Sequence, residues 1–246
     1  MSKSLRAAFS FLTILPLAHS ELEGEELAGA GAWFPLVGFA LGLIYWGTAV
    51  LLGSRVNNSL LSYLLVLLMA VITGGLHLDG LADFADSLGG INREDRLRIM
   101  KDPHKGSFGI IALMLLLAGK FLALNSLLQA RSLLPILLAP GLARLSLTML
   151  IATTAYARSQ GGTGEKFSRH KKSWHLAVAL LCALFPVIAL KRELFWFMLL
   201  AVMLITFIFR LLGTRLLGGF TGDLLGACVE VCETALLLLA AARSSV

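Results

Sequence analysis

The stretch LLSYLLVLLMAVITGGLHL, Leu60–Leu78, contains no Asp, Glu, Lys or Arg. A helix needs about 20 such apolar residues to cross the hydrocarbon core of a bilayer, where the helix must satisfy its own backbone polar groups. The stretch therefore predicts a transmembrane helix. Asp79 follows directly, so this predicted span leads straight into an acidic segment.

Apolar runs of similar length recur along the 246 residues, of which 57% are hydrophobic and 15% charged, with a mean hydropathy of +0.83. This composition is typical of membrane proteins and predicts an all-α polytopic membrane helical bundle, a single domain over residues 1–246 with about seven spans. The segment Ala7–Ala18 is short and interrupted by Pro16, which indicates an interfacial N-terminal segment. The predicted spans are Trp33–Gly53, Leu60–Leu78, Phe108–Leu128, Leu133–Tyr156, Trp174–Leu190, Leu194–Leu212 and Leu224–Ala242.

Lys and Arg are unevenly distributed between the two sides of these predicted spans. A cytoplasmic N-terminus places the two large basic loops, Arg93–Lys105 and Arg158–Lys172, on the inner side, whereas the outer loops hold few cations. Retained loops carry the positive excess, so we expect a multi-pass protein of the cell inner membrane with these loops in the cytoplasm.

Three carboxylates follow the opening span in the sequence HLDGLADFAD, His77–Asp86. Asp79, Asp83 and Asp86 are spaced i, i+4 and i+7, which places them on one helix face. No Lys or Arg stands between them, and three neighbouring negative charges repel one another unless a cation compensates them. Mg²⁺ accepts hard oxygen ligands and bridges carboxylates to substrate phosphates, so we predict a magnesium site here. The alternative is a solvated, Asp-rich helix end.

A basic loop begins shortly after these acids and ends in Gly106–Gly109, which opens the next predicted helix. Glycines and free N–H groups at a helix N-terminus can bind an anion, and acids for metal beside bases for phosphate suit phosphoryl transfer. The alternative is a plain positive-inside anchor. The basic residues and the histidine of the loop are Arg93, Arg96, Arg98, Lys101, His104 and Lys105.

A second acidic group lies on the last predicted span. Asp223 stands near its start, whereas Glu230 and Glu233 lie deeper, where a carboxylate either serves the site, as a metal ligand for example, or forms a structural ion pair. Arg144 and Lys120 reach a similar depth on other spans. We predict that Arg144, or alternatively Lys120, pairs with one of these glutamates and so holds Asp223 in line with the Asp79 face.

Together these motifs resemble the cobalamin synthase family over about residues 8–235. The central stretch from the acids to the basic loop is specific, whereas the N-terminal and Tyr-Ala-Arg pieces are weak alone. The matching segments are FLTILP (Phe11–Pro16), FPLVG (Phe34–Gly38), GLHLDGLAD (Gly75–Asp83) with Asp86, RLRIMKD (Arg96–Asp102), GSFG (Gly106–Gly109), YAR (Tyr156–Arg158) and GGFTGDLLGA (Gly218–Ala227).

The resemblance implies a Mg²⁺-dependent enzyme that joins adenosylcobinamide-GDP to α-ribazole or its 5′-phosphate and releases GMP. Under it, Asp79, Asp83 and Asp86 bind the metal and act in catalysis together with Asp223. Residues expected to bind substrate are His77, Arg96, Lys101, Asp102, Lys105 and Arg158. After Lys-Asp, many family members have Ser-Arg, whereas this chain has Pro103-His104-Lys105. If that arginine binds phosphate, His104 or Lys105 would take its role here.

Two other functions fit the sequence less well. The motif of CDP-alcohol phosphotransferases has an Asp at the position of Leu76, and an Arg after Ala at the position of Asp83. This chain has neither residue, so the motif is absent. A transporter could use the charges within the spans, but the densest charge lies on one membrane face and the halves show no repeat. We expect the two substrates and the lipid bilayer as partners and no nucleic acid; the sequence does not predict the oligomeric state.

Overall fold

The computed structural model describes residues 2–17, 24–158, 163–169, 172–190 and 193–244. These residues are helical and contain no β-strand beyond one pairing of Tyr156 with Phe220. The helices are α1 (Lys3–Leu12), α2 (Gly24–Ala30), α3 (Phe34–Leu52), α4 (Asn58–Ile72), α5 (Leu76–Ser87), α6 (Arg93–Ile99), α7 (Ser107–Gln129), α8 (Leu134–Thr153), α9 (Thr163–Arg169), α10 (Ser173–Leu190), α11 (Glu193–Leu212) and α12 (Gly222–Ser244).

The predicted all-α membrane bundle is confirmed, but its number of spans is not. Among the described residues, 5 helices are long and apolar enough to cross a membrane, or up to 6 if α4 and α5 together form one broken span. The predicted span Trp174–Leu190 corresponds to α10, whose apolar part as described, Ser173–Leu184, is short for a crossing. The expected count of seven therefore has no support in this part of the chain.

The predicted span Leu60–Leu78 is not a continuous helix. Its helix α4 ends at Ile72, and α5 starts at Leu76 at an angle of 87° to it. Gly74 and Gly75 between them adopt φ values of 60° and 68°, in the left-handed region that glycine enters without a steric penalty. The two glycines thus turn the acidic helix sharply away from the span that precedes it.

The N-terminal helix α1 packs onto the bundle close to this bend. Ala7, Ala8 and Leu12 are buried, and the backbone N–H of Ile14 donates to the carbonyl of Ile72 at 2.9 Å. The predicted interfacial segment ran to Ala18, which lies outside the described residues.

Glycines allow two pairs of helices to approach closely. A Cβ at Gly42 of α3 would lie 1.9 Å from the carbonyl oxygen of Leu137 in α8. At the crossing of α5 and α12, a Cβ at Gly80 would lie 3.0 Å from the carbonyl oxygen of Asp223, and one at Gly226 would lie 3.1 Å from that of His77. Small residues at such contacts are the usual means by which membrane helices pack, and here they hold α5 against α12.

Four buried charges join α7, α8 and α12 in the interior. The Lys120 ammonium donates to Oε2 of Glu230 at 2.7 Å and to Oε1 of Glu233 at 3.0 Å, and Arg144 donates to Oε2 of Glu233 at 2.5 Å. These side chains are between 2% and 7% exposed. The predicted pairing is confirmed, with both cations taking part, and the two glutamates form ion pairs with protein cations.

A single substitution in this ion cluster should destabilise the bundle. Lys120→Met leaves the buried carboxylate of Glu230 without its cation, which we expect to lower the free energy of unfolding by on the order of 3 kcal/mol. Thermal unfolding in detergent micelles would measure the loss. The double variant Lys120→Met/Glu230→Gln restores neutrality and should recover much of the lost stability. A double variant as unstable as the single one would contradict this account.

Candidate active site

The bend before α5 and its glycine contact with α12 bring the two acidic motifs together. Asp79 and Asp83 project from α5 next to the start of α12, where Asp223 stands in the first turn. The three carboxylates therefore lie at the same surface of the bundle, as their positions in the sequence predicted. The side chains of Asp79, Asp83 and Asp223 are 62%, 11% and 22% exposed.

Lys105 supplies the positive charge that the acids of α5 require. Its ammonium lies 2.5 Å from Oδ1 of Asp79 and 2.5 Å from Oδ1 of Asp83. Partial burial opposes the charged ammonium, but the hydrogen bonds that it donates to the two carboxylates outweigh this effect and raise the pKa of Lys105. Of His104 and Lys105, the two residues expected to bind phosphate in place of an arginine, the structure brings Lys105 to the acids.

Asp86, the third acid of the face, has a different environment. Its Oδ2 accepts the backbone N–H of Gly106 at 2.7 Å, and its Oδ1 accepts that of Gly109 at 2.8 Å. A Cβ at either glycine would lie 2.5 Å from an Asp86 oxygen, so only glycine allows this approach. The predicted anion site at the N-terminus of α7 is thus filled by a carboxylate of the protein itself.

Arg158 holds Asp223 from the other side of the site. Its guanidinium donates to Oδ2 of Asp223 at 2.9 Å. The segment around Arg158 is fixed by backbone bonds: the N–H of Ala157 donates to the carbonyl of Phe220 at 2.9 Å, and that of Phe220 to Ala155 at 2.8 Å. Arg158, expected from the family resemblance to bind substrate, therefore lies beside Asp223.

The remaining basic-loop residues lie apart from the acids. Oδ1 of Asp102 is hydrogen-bonded to the backbone N–H and to the ring Nδ1 of His104, and these hydrogen bonds lower the pKa of the Asp102 carboxyl. Lys101 is exposed, and neither it nor Arg96 forms a salt bridge within the described part of the chain. The structure thus does not bring Arg96, Lys101 or Asp102 into contact with the acids.

Arg93 is a positioning residue that the sequence did not single out. Its guanidinium donates to the carbonyl of Leu217 at 2.7 Å and to that of Ala157 at 2.7 Å, and so connects the basic loop to both segments that carry Arg158 and Asp223. Nothing in the spacing of the loop distinguishes Arg93 from its neighbours, because both acceptors are main-chain carbonyls distant in sequence.

A cavity of about 260 Å³ adjoins Asp79 and Asp223. His77, predicted to bind substrate, lies in its wall and is only 3% exposed. The other walls are largely apolar and include the aromatic rings of Phe11, Phe34 and Phe167.

The donor set of this site can be compared with the needs of Mg²⁺. Within the described residues, no three or more His, Cys, Asp or Glu side chains are arranged to hold a metal ion. Asp79 and Asp83, however, direct one oxygen each at the same cationic atom, that of Lys105. Two carboxylates fit an ion that takes its other ligands from water and substrate phosphates. Both oxygens of Asp86, the third predicted ligand, accept hydrogen bonds from backbone N–H groups. The magnesium site remains a prediction.

The two kinds of acid on α5 should respond differently to neutralisation. Asp86→Asn removes one acceptor and the negative charge at the N-terminus of α7, so we expect it to cost about 1–2 kcal/mol of stability. Asp79→Asn, at an exposed position on the same face, should leave the thermal unfolding temperature in detergent nearly unchanged. Equal effects of the two substitutions would refute the capping role of Asp86.

Comparison with known proteins places this site in a family. The sequence profile of the cobalamin-5-phosphate synthase family matches residues 4–241. Proteins named adenosylcobinamide-GDP ribazoletransferase are similar over nearly their whole length. That of Syntrophobacter fumaroxidans is 43% identical over 240 residues, which cover 95% of this chain and 96% of the relative.

Two further relatives of the same name extend the similarity to other bacteria. The protein of Pseudomonas aeruginosa strain PAO1 is 41% identical over 246 residues, and that of Chlorobaculum tepidum is 39% identical over 249. These alignments cover 96% and 98% of this chain, respectively, and 96% of each relative. No solved structure matches the chain. The chain belongs to the cobalamin-5-phosphate synthase family.

Proposed function

We propose that this protein is a membrane transferase that joins adenosylcobinamide-GDP to α-ribazole, or to α-ribazole 5′-phosphate, with release of GMP. Family membership over residues 4–241 supports this reaction, as do the names of the relatives. The observation that carries the proposal is the convergence of Asp79 and Asp83 on one cationic atom, beside the Arg158–Asp223 pair. A paired-carboxylate site of this kind suits phosphoryl transfer, where charge neutralisation and positioning do most of the work.

The reaction exchanges one phosphorus–oxygen bond for another. A hydroxyl oxygen of the ribazole attacks the phosphorus next to cobinamide, the bond from that phosphorus to the bridging oxygen breaks, and GMP leaves with the electron pair. The hydroxyl proton passes to an acceptor at the site or to water. The carboxylates of Asp79 and Asp223 are both partly exposed, and they are placed to accept the proton of such a hydroxyl or to orient it by a hydrogen bond.

Several charged groups of the site can bind the pyrophosphate of adenosylcobinamide-GDP. Arg158 and Lys105 are the cations that the fold brings next to the acids. Magnesium is the proposed cofactor, with Asp79 and Asp83 as the residues that would hold it and Asp86 as the third predicted ligand. When bound, Mg²⁺ would neutralise negative charge that develops on the leaving phosphate.

The proposed cofactor can be tested with neutral variants of the acids. Asp79→Asn and Asp83→Asn should lower the rate of GMP release at limiting Mg²⁺ by on the order of 10²-fold, because charge neutralisation at the phosphates is lost. Asp95→Asn is the matched control, since Asp95 lies in α6 and pairs with Arg98. If Asp79→Asn and Asp83→Asn both retained rates close to the wild type, the metal assignment would be wrong.

We further propose that the site faces the cytoplasm from the inner membrane, as the distribution of basic residues indicates. In a variant lacking Cys182, Cys228 and Cys232, a cysteine at the exposed Asn92 should resist an impermeant thiol reagent added to intact cells. A cysteine at the exposed Arg131, at the other end of α7, should react and serves as the control. Labelling of Asn92→Cys from outside would overturn the orientation.

A further inference from the structure

The cavity next to the acids has the size and lining of a binding site for a flat aromatic group. Its volume of about 260 Å³ far exceeds the roughly 10–15 Å³ that a single water needs. Three phenylalanines contribute to its wall and contact one another: the ring centroid of Phe11 lies 5.9 Å from that of Phe34 and 5.0 Å from that of Phe167. Such a wall favours an aromatic occupant.

The lining changes from apolar to charged along the cavity. Phe34 and Phe167 are 0% and 1% exposed, which places them inside the bundle. The side chains of Asp79, Arg158 and Asp223 line the same cavity but are 62%, 19% and 22% exposed, and so they mark its open side. An occupant would therefore direct an apolar ring inward and its polar, reacting part towards the acids.

His77 is the only fully buried polar side chain among the described residues that line this cavity. Its Nδ1 is buried and has no hydrogen-bond partner within the described part of the protein. A buried polar atom without a partner is costly, and most native structures avoid it. Because His77 lies in the wall, a ligand in the cavity could offer a hydrogen-bonding atom to its imidazole.

We propose that this cavity is the subsite for the aromatic base of the ribazole, with His77 hydrogen-bonded to the unsubstituted ring nitrogen of that base. The inference rests on the function proposed above. The base of ribazole is a dimethylbenzimidazole, a fused ring that is apolar except for this one nitrogen. Its shape and polarity match a cavity with aromatic walls in which His77 is the one fully buried polar residue among the described lining residues.

The other parts of the two substrates suit the cavity less well. Guanine carries several donors and acceptors on its edges, and these would stay unpaired in the inner part of the cavity, where the wall is formed by Phe34 and Phe167, which is costly. The corrin ring is too large for a space of about 260 Å³. With the base in the cavity, the ribose lies on the open side, so the attacking hydroxyl is held close to Asp79 and Asp223. Binding of the base thereby positions the nucleophile.

The chain offers a matched pair of glycines for the test. Gly222 lines the cavity and Gly47 lies in α3 away from it, and a Cβ at either glycine would meet no atom within 4 Å. Gly222→Leu should obstruct the cavity and raise the KM for ribazole roughly tenfold or more, with little change in the KM for adenosylcobinamide-GDP. Gly47→Leu should change neither value. An increase confined to adenosylcobinamide-GDP, or no change, would overturn the proposal.

A second experiment tests the hydrogen bond from His77 without turnover. The probes are 1,5,6-trimethylbenzimidazole, which keeps the acceptor nitrogen, and 1,5,6-trimethylindole, which replaces it with C–H. Purified wild-type protein should bind the benzimidazole roughly tenfold more tightly, and His77→Phe should abolish this preference. Equal binding of both probes by the wild type would overturn the proposal. Because the titration needs no GMP release, failure of this subsite is distinguishable from failure of the proposed reaction.

Discussion

The buried ion cluster of Lys120, Arg144, Glu230 and Glu233 is the constraint on which the arrangement of the site depends. Charges at this depth are costly unless each finds a partner, so α7, α8 and α12 can pack only in a register that pairs them. The start of α12, with Asp223, follows from that register. The cluster therefore fixes the position of a site residue several turns away from it.

Within this register, glycines determine how closely the acidic helix approaches. Gly74 and Gly75 turn α5 by 87° from α4, and the contact between Gly80 and Gly226 seats it on α12. The result is a cavity that is apolar inside and charged at its open side, where Asp79 stands, the acid that shares Lys105 with Asp83. A substrate with an aromatic base and a reacting hydroxyl can use both regions at once.

Local patterns were sufficient to predict several of these features. The i, i+4, i+7 spacing of the α5 acids placed them on one face, and depth along the helices paired Arg144, or alternatively Lys120, with Glu233 or Glu230, because both inferences use only the rise and turn of a helix.

Features that depend on contacts between distant segments could not be predicted in this way. The bend before α5 is an exception, because the Gly74-Gly75 pair is a local turn signal that the prediction of one unbroken span passed over. The anion site at Gly106–Gly109 was predicted, but not that Asp86 occupies it. The bonds of Arg93 to two main-chain carbonyls carry no sequence signal. The predicted number of spans, about seven, also exceeded the 5 or at most 6 that the described helices support.

The most direct test of the central claim measures both products of the purified protein supplied with adenosylcobinamide-GDP, α-ribazole and Mg²⁺. GMP and the cobalamin product should form in equal amounts, and GMP release should cease when ribazole is omitted. Release of GMP at an unchanged rate without ribazole would indicate hydrolysis instead of transfer and would contradict the account, as would the absence of GMP from the complete mixture.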